Sequence, residues 1–243
     1  MKSKKAFIII PTYNEKDNIK KLVKSVLNLR IPDVEQGVII VDDNSPDGTG
    51  AAVANLKLKM KNLKLFLLRR PKKLGLGTAY IAGFKKALSD GADFVITMDA
   101  DFSHNPKDIP KLIKEIDGYD LVFGSRYVKG GGITGWTLDR HILSRLGNFG
   151  AKVLLGLKIK DCTTGFRCYK KEVLKKIDFA NIKSDGYSYL VEMAFLAQKS
   201  GFKIGEVPIV FQNRILGASK ISRKEIFKAI QTVLRLGLKR IKR

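Results

Sequence analysis

Asp99-Ala100-Asp101 closes the apolar run Phe94-Val95-Ile96-Thr97-Met98 and sets two carboxylates where a buried strand should leave a sheet. Alternate side chains of an extended segment share a face, so Asp99 and Asp101 can converge on one hard cation. Magnesium needs only one or two protein carboxylates and completes its octahedron with water and substrate phosphate oxygens. The pattern points to a nucleotide-dependent transferase, with a polar loop after a strand as the alternative reading of a lone Asp-x-Asp. Pro11 to Glu15 (PTYNE) ends an earlier apolar run. There Tyr13 can stack on a base and Glu15 can accept hydrogen bonds from sugar hydroxyls, or the segment is a turn and helix cap. The stretch from Val41 to Thr49 (VDDNSPDGT) presents acidic acceptors before a turn. Ionised Asp43 can take N–H donors from guanine or from uracil, which leaves the base open, while Asp47 and Thr49 suit turn and cap. Gly75-Leu76-Gly77 is not a dinucleotide fingerprint, because Tyr80 stands where the third glycine belongs and no strand immediately precedes it. It reads instead as a loop close to a ligand, followed by a helix start.

The elements that must position these residues follow from periodicity. Apolar runs predict strands at 6–10, 38–42, 64–68, 93–98 and 120–124. Helical spacing of apolar residues, as in Ile19, Leu22, Val23 and Val26, predicts helices at 16–29, 49–60, 77–89 and 107–116. Strands alternating with helices imply a doubly wound, mainly parallel α/β sheet covered on both faces. Ligands bind such sheets at the carboxyl ends of the strands, where the loops at 11–15, 42–49, 99–104 and 124–127 would all face one site. Beyond residue 128, Gly130-Gly131-Gly132 opens a loop built to move, and Trp136, Arg140 and Ser144 lead into a helix ending near 155. Short strands and a helix near 188–199 are expected in 161–211. From Arg223 onward Ile226, Phe227, Ile230, Val233, Leu234, Leu238 and Ile241 form one apolar stripe, with Lys224, Lys228, Arg235, Lys239 and Arg240 mostly opposite it.

The 243 residues suffice for one sizeable domain, read as 1–220, with 221–243 as a basic amphipathic helix at a membrane interface. The net charge of +23 implies anionic partners: nucleic acid, nucleotide phosphates or an acidic membrane surface. Cys162 and Cys168 form neither a metal pattern nor a disulfide framework, which fits a reduced cytosolic setting and ordinary packing. No signal-peptide core and no apolar stretch of membrane-spanning length is present, so the chain is expected to be cytoplasmic and peripheral to the cytosolic face of a membrane. The C-terminal stretch from Lys220 holds nine Lys and Arg against one Glu, which favours an anionic leaflet. A surface helix packed on the domain with a solvated basic face is the alternative.

Taken in order, PTYNE, VDDNSPDGT, KKLGLGTAYIAG, MDADFSHNP, GSRY, GGG with Trp136, DCTTGFRCY and RILGASK resemble the polyprenol-phosphate sugar transferases. The chain is similar, from Pro11 to about Lys220, to dolichol-phosphate mannosyltransferases among the family 2 glycosyltransferases with a GT-A fold. The resemblance implies a GDP-mannose donor, a divalent metal (Mg²⁺ or Mn²⁺) and a dolichyl or polyprenyl phosphate acceptor. It assigns the nucleoside to Pro11, Tyr13, Glu15, Val41 and Asp43, and the metal-diphosphate and sugar to Asp99, Ala100 and Asp101. Ser103 stands where some relatives carry a glutamine, as the candidate third metal ligand. Arg126 of GSRY is implied as a sugar and phosphate contact, Arg140 and Ser144 as the grip on the lipid phosphate, and Arg214 and Lys220 as diphosphate contacts. Asp101, Arg126, Arg214 and Lys220 form the implied catalytic set. Some relatives carry transmembrane helices and others rely on small membrane partner subunits, so interfacial docking or a separate anchor subunit is expected here.

These roles also make physical sense. Cations offset the charge that develops on a departing diphosphate, and guanidinium binds phosphate bidentately. A phosphate monoester with a second pKa of about 6 is largely dianionic at neutral pH, so no general base is required. In-line attack predicts inversion, a β-linked product from an α-linked donor. His104 and His141 read as loop or capping residues, His104 at most supporting the metal loop, and Arg167 is either structural or near the acceptor. The rival enzyme is a polyprenyl-phosphate glucosyltransferase using UDP-glucose, since epimer choice rests on a few hydroxyl contacts. A basic nucleic-acid-binding module is disfavoured by Asp42, Asp43, Asp99 and Asp101 converging in one cleft, so no nucleic-acid partner is expected.

Overall fold

A computed structural model describes residues 3–60, 64–213 and 223–241. The five apolar runs of the first half are strands: β1 (Lys4–Thr12), β2 (Val34–Asp42), β3 (Lys64–Arg69), β4 (Phe94–Thr97) and β5 (Leu121–Ser125). Between them lie α1 (Lys16–Leu27), α2 (Thr49–Lys59), α3 (Leu76–Ser89) and α4 (Ile109–Glu115). The later half adds β6 (Gly132–Thr134), α5 (Leu138–Leu155), β7 (Arg167–Lys170), α6 (Lys171–Lys176), α7 (Ser188–Lys199), β8 (Ile204–Pro208), β9 (Val210–Gln212) and α8 (Arg223–Ile241). Among the described residues the main sheet runs β3-β2-β1-β4-β7-β5-β8, while β6 and β9 pair in a separate ribbon. Strand alternation divides the core in two. Phe7 and Ile9 of β1 face one side with α3, α7 and Leu155 of α5; Ile8 and Ile10 face the other with α1, α2 and α4.

Strand β4 is shorter than the apolar run suggests. The Met98 N–H still reaches the Ile9 carbonyl at 3.1 Å, but the Asp99 N–H turns to His104 Nδ1 at 3.2 Å. Residues 100–104 form bends, and the shared face of an extended segment is not what brings Asp99 and Asp101 together. A second departure is β7, which runs antiparallel to both β4 and β5 and pairs Arg167 with Thr97 and with Phe123. A reversed strand starts where its neighbours end, so the loop 161–166 is delivered to the carboxyl end of the sheet.

Arg167 holds that loop. Its buried guanidinium donates to the carbonyls of Thr164 and Cys162, both at 2.8 Å, and lies 4.3 Å from the Phe123 ring centroid. Its role is structural.

The C-terminal helix does not present a single apolar stripe. Thr232, Leu236 and Gly237 are buried, with Leu236 and Val233 packed on the α3–α7 side of the core, while Phe227, Ile230, Leu234 and Leu238 stay exposed. Polar contacts fix its position: Arg235 donates to Glu192 at 2.9 Å, and Lys228 to Asp185 at 2.7 Å. Arg240 donates to the end carbonyls Val153 and Leu154 of α5 at 3.2 and 3.3 Å, groups that a helix cannot satisfy by itself. Helix α5 beside it exposes Leu138, Ile142, Leu146, Phe149 and Val153 along one face.

Replacing Arg167 by Met keeps most of the volume and removes the donors of two buried carbonyls. Arg167→Met is expected to lower stability by about 3 kcal/mol or more in urea denaturation, whereas a loss within 0.5 kcal/mol would contradict the staple.

Candidate active site

A cleft of about 320 Å³ opens at the carboxyl ends of β1, β2 and β4. Pro11, Tyr13, Glu15, Asp43, Asp99, Ala100 and Asp101, all singled out from the sequence, line it together. Asp185, Tyr187 and Glu225 close the far wall, which brings the first turn of α8 to the cleft. Six carboxylates thus line a cavity in a chain of net charge +23. Lys73 is the lining cation among the described residues, its Nζ 4.3 Å from the Tyr13 ring centroid. Clustered carboxylates repel one another unless a cation shares the site.

Local hydrogen bonds explain how each acid is held. Asp43 is ion-paired with Arg70 and accepts the Leu74 N–H at 3.2 Å. Arg70 also donates to the Gly75 carbonyl at 3.0 Å and to the Thr78 hydroxyl at 2.6 Å, fastening the 70–78 loop to the end of β2. Asp42 turns inward, accepting the hydroxyls of Thr12 at 3.0 Å and Ser45 at 2.6 Å. Asp47 takes the Thr49 and Lys16 N–H groups at 2.9 and 3.0 Å, so it organises the turn.

Asp99 follows the shortened end of β4. The Tyr80 hydroxyl reaches its Oδ1 at 3.4 Å, and burial followed by the Asp99 charge pushes the Tyr80 phenol well up, keeping it a donor. Gly165 passes close to the same carboxylate: a Cβ there would meet Asp99 Oδ1 at 3.2 Å and the Tyr80 hydroxyl at 3.3 Å. Asp101 is buried, and its Oδ1 accepts both the N–H and the hydroxyl of Ser103, at 3.0 and 2.6 Å. Between them Phe102 adopts φ +60, the left-handed region that lets the chain double back. His104 stacks on Phe166 at 5.0 Å and is fully enclosed. Burial pushes its pKa down although Asp99 and Asp101 pull upward. The imidazole is neutral, accepting at Nδ1 from the Asp99 backbone, and it serves as the fastener of the loop.

Several residues named from the sequence are not on this cleft. Val41 is buried inside β2, where it supports the sheet. Ser103 is fully buried and bonded to Asp101, so it braces that carboxylate and is not presented toward the cleft. Arg126 lies on a separate cavity, where its Nε and Nη2 grip Asp161 bidentately, both bonds at 2.7 Å, and Thr163 takes a further 2.7 Å bond. Arg140 lies 4.0 Å from the Trp136 ring centroid and donates to Asn213 at 3.2 Å; the Ser144 hydroxyl, one turn along α5, accepts from Tyr127 at 2.7 Å. Arg214 and Lys220 lie outside the described residues. Among the described residues no group of three or more His, Cys, Asp or Glu is arranged to hold a metal ion. A cation on Asp99 and Asp101 would therefore take its other oxygens from water and substrate, as Mg²⁺ commonly does, and hard carboxylate donors suit Mg²⁺ or Mn²⁺.

Sequence reading overlooked Arg70, Tyr80, Asp161, Gly165 and the Asp185–Glu225 wall. Tyr80, Asp161 and Gly165 fall within motifs already noted, KKLGLGTAYIAG and DCTTGFRCY, which was the available signal; Arg70 and the wall offered none.

Burial raises the Asp161 carboxyl, and the charge and hydrogen bonds of Arg126 outweigh this, leaving it below the usual range. A depressed carboxylate contributes stability above its unfolded pKa and loses it as pH falls through the folded value. Asp161→Asn is expected to cost about 3–5 kcal/mol at neutral pH, because Arg126 stays buried without its counter-charge. The difference from the parent protein in urea denaturation should persist above about pH 5 and shrink below about pH 4. A pH-independent difference would contradict the pairing.

Comparison with known proteins agrees with this geometry. Residues 7–178 match the model of glycosyl transferase family 2. The polyprenol monophosphomannose synthase of Mycolicibacterium smegmatis is 40% identical over 238 residues, 98% of this chain and 88% of that protein. The undecaprenyl-phosphate mannosyltransferase of Micrococcus luteus is 41% identical over 230 residues, 95% of this chain and 93% of that protein. Among solved structures, the glucosyl-3-phosphoglycerate synthase of Mycobacterium tuberculosis with Mn²⁺, UDP and phosphoglyceric acid superposes with a TM-score of 0.67. At 17% identity, over 96% of this chain and 78% of that one, it shares the fold. The same enzyme crystallised with Mg²⁺ and UDP superposes equally well, at a TM-score of 0.67. With its GT-A sheet and its acidic cleft at the strand ends, this chain belongs to glycosyl transferase family 2.

Proposed function

We propose that this protein transfers mannose from GDP-mannose to a dolichyl or polyprenyl phosphate with inversion, giving the β-linked polyprenyl phosphate mannose. The observation that carries the reading is the cleft of six carboxylates in a strongly basic chain, which suits a cation-bridged diphosphate and opposes a polyanion bound directly. The names of the two relatives supply the sugar and the lipid class.

Asp99 and Asp101 would hold Mg²⁺ or Mn²⁺, which when bound offsets the charge of the departing diphosphate. Tyr13 offers a stacking face for the base, Glu15 acceptors for sugar hydroxyls, and Asp43, oriented by Arg70, acceptors for base N–H groups. Arg140 and Ser144 are the proposed grip on the acceptor phosphate, and Arg214 and Lys220 the proposed diphosphate contacts. Arg126, occupied by Asp161, anchors the 161–163 loop and is left out of the donor contacts. The acceptor is dianionic, so catalysis consists of aligning two anions that repel each other, and no side chain has to remove a proton.

Attachment to the cytosolic face of a membrane is proposed through the exposed apolar residues of α5 and α8. Among the described residues no helix is long and apolar enough to cross a bilayer.

Labelled mannose supplied as GDP-mannose to liposomes containing dolichyl phosphate should appear in lipid, and chelation of divalent metal should abolish it. Product from UDP-glucose in its place would establish the glucosyl rival, and product without metal would contradict the metal role. Asp101→Asn is expected to lower kcat by about a hundredfold or more with the fold intact by circular dichroism. Arg140→Ala should act mainly on KM for the lipid acceptor, by about tenfold or more, with KM for GDP-mannose little changed. Unaltered kinetics in either variant would remove that residue from its role.

A further inference from the structure

A second cavity, about 550 Å³ and larger than the acidic cleft, shares no lining residue with it. It opens between α5 and the 126–131 segment, with Tyr127, Arg145, Asn148, Phe149, Lys152 and Lys160 on its walls. Its electrostatics are opposite to those of the cleft. No carboxylate lines it, and Asp161, the acid nearest in sequence, is buried and bound to Arg126. Glu206 faces the same loop, but its carboxylate is held by the backbone N–H groups of Lys160 and Asp161 at 2.8 and 3.0 Å. The side chains of Arg145, Lys152 and Lys160 are exposed and, among the described residues, have no acidic partner; Arg145 has only the Tyr127 ring, 6.0 Å away.

Helix geometry puts apolar surface directly beside this charge. Arg145 and Lys152 are seven residues apart on α5, two turns or about 10 Å along the axis. Leu146, Phe149 and Val153 form the adjoining stripe of the same helix, 62%, 67% and 57% exposed. A ligand that satisfies both must join an anionic phosphate to hydrocarbon. The acceptor lipid has that chemistry too, but Arg140 and Ser144, the proposed grip on its phosphate, are not among the residues that line this cavity. We infer that the Arg145–Lys152–Lys160 cavity is a headgroup site for an anionic phospholipid of the bilayer, with the apolar face of α5 lying among its acyl chains. The inference rests on the proposed membrane docking of α5 and names the lipid that it meets.

The test is flotation of the whole protein with phosphatidylcholine vesicles and with mixed phosphatidylcholine–phosphatidylglycerol vesicles. The variant Arg145→Gln/Lys152→Gln/Lys160→Gln is compared with a charge-matched control, Lys20→Gln/Lys21→Gln/Lys24→Gln on α1, which packs on the opposite face of the sheet. Near an anionic leaflet each cation counts roughly fivefold, so the cavity variant should bind the mixed vesicles about a hundredfold more weakly. It should bind phosphatidylcholine like the parent and transfer sugar to a short, water-soluble polyprenyl phosphate within about twofold of it. The α1 control should keep its preference for the mixed vesicles. Equal loss in both variants would mean unspecific charge attraction and overturn the site. Loss of transfer to the soluble acceptor in the cavity variant would give the cavity to the acceptor and overturn it as well. Parent protein that binds neither vesicle contradicts the docking, while parent protein that binds both alike contradicts the headgroup site alone.

Discussion

The direction of one strand decides where the chemistry can sit. Because β7 runs against β4 and β5, the loop that precedes it arrives at their carboxyl ends, where a parallel strand would have placed its other end. That loop brings Gly165 against Asp99 on one side and Asp161 against Arg126 on the other. Thr97, the last residue of β4, donates through its hydroxyl to the Gly165 carbonyl at 2.6 Å, and Arg167 staples the loop from beneath. Asp99 and Arg126 are thereby both contacted from a single insertion in the sheet. A Cβ at 165 would press on the Asp99 carboxylate and the Tyr80 hydroxyl, which would have to give by a few tenths of an ångström.

Charge is distributed with equal economy. Acids at the strand ends converge on a cleft, while Asp161 is bonded to an arginine, Glu206 to backbone, and several others, such as Asp93 and Asp108, to lysines. Asp43 and Asp161 are each neutralised by an arginine, Arg70 and Arg126, and both pairs are buried. The Tyr80 and Ser103 hydroxyls, both neutral donors, help to orient Asp99 and Asp101. On α5 the cationic cavity adjoins an exposed apolar stripe of the same helix.

Much of this was legible in the chain itself. The first five strands and their helices follow from long apolar runs and amphipathic spacing, and the helix expected at 188–199 is found at Ser188–Lys199. Strand β7 left little trace because it is four residues long, with Arg167 and Lys170 at the ends of a Cys168-Tyr169 pair, and it is paired on both edges, by β4 and β5. The Asp99 and Asp101 convergence was read correctly as a shared location but for the wrong reason, since a bend stabilised by His104 replaces the extended segment. Arg126 was visible as a cation, yet its partner lies 35 residues away and no local signal connects them. For α8 the apolar periodicity was plain, but periodicity does not say which edge meets the core, and Leu236 turned out to be the buried contact.

The central claim is that the acidic cleft holds a divalent cation together with a sugar nucleotide. Crystals grown with Mn²⁺ and GDP-mannose, measured at a wavelength where manganese scatters anomalously, test it most directly. The account predicts one anomalous peak bonded to the Asp101 carboxylate, with the donor diphosphate against it and the guanine beside Tyr13 and Asp43. Donor bound in the cleft without a manganese peak, or manganese and nucleotide seated elsewhere on the molecule, would contradict it.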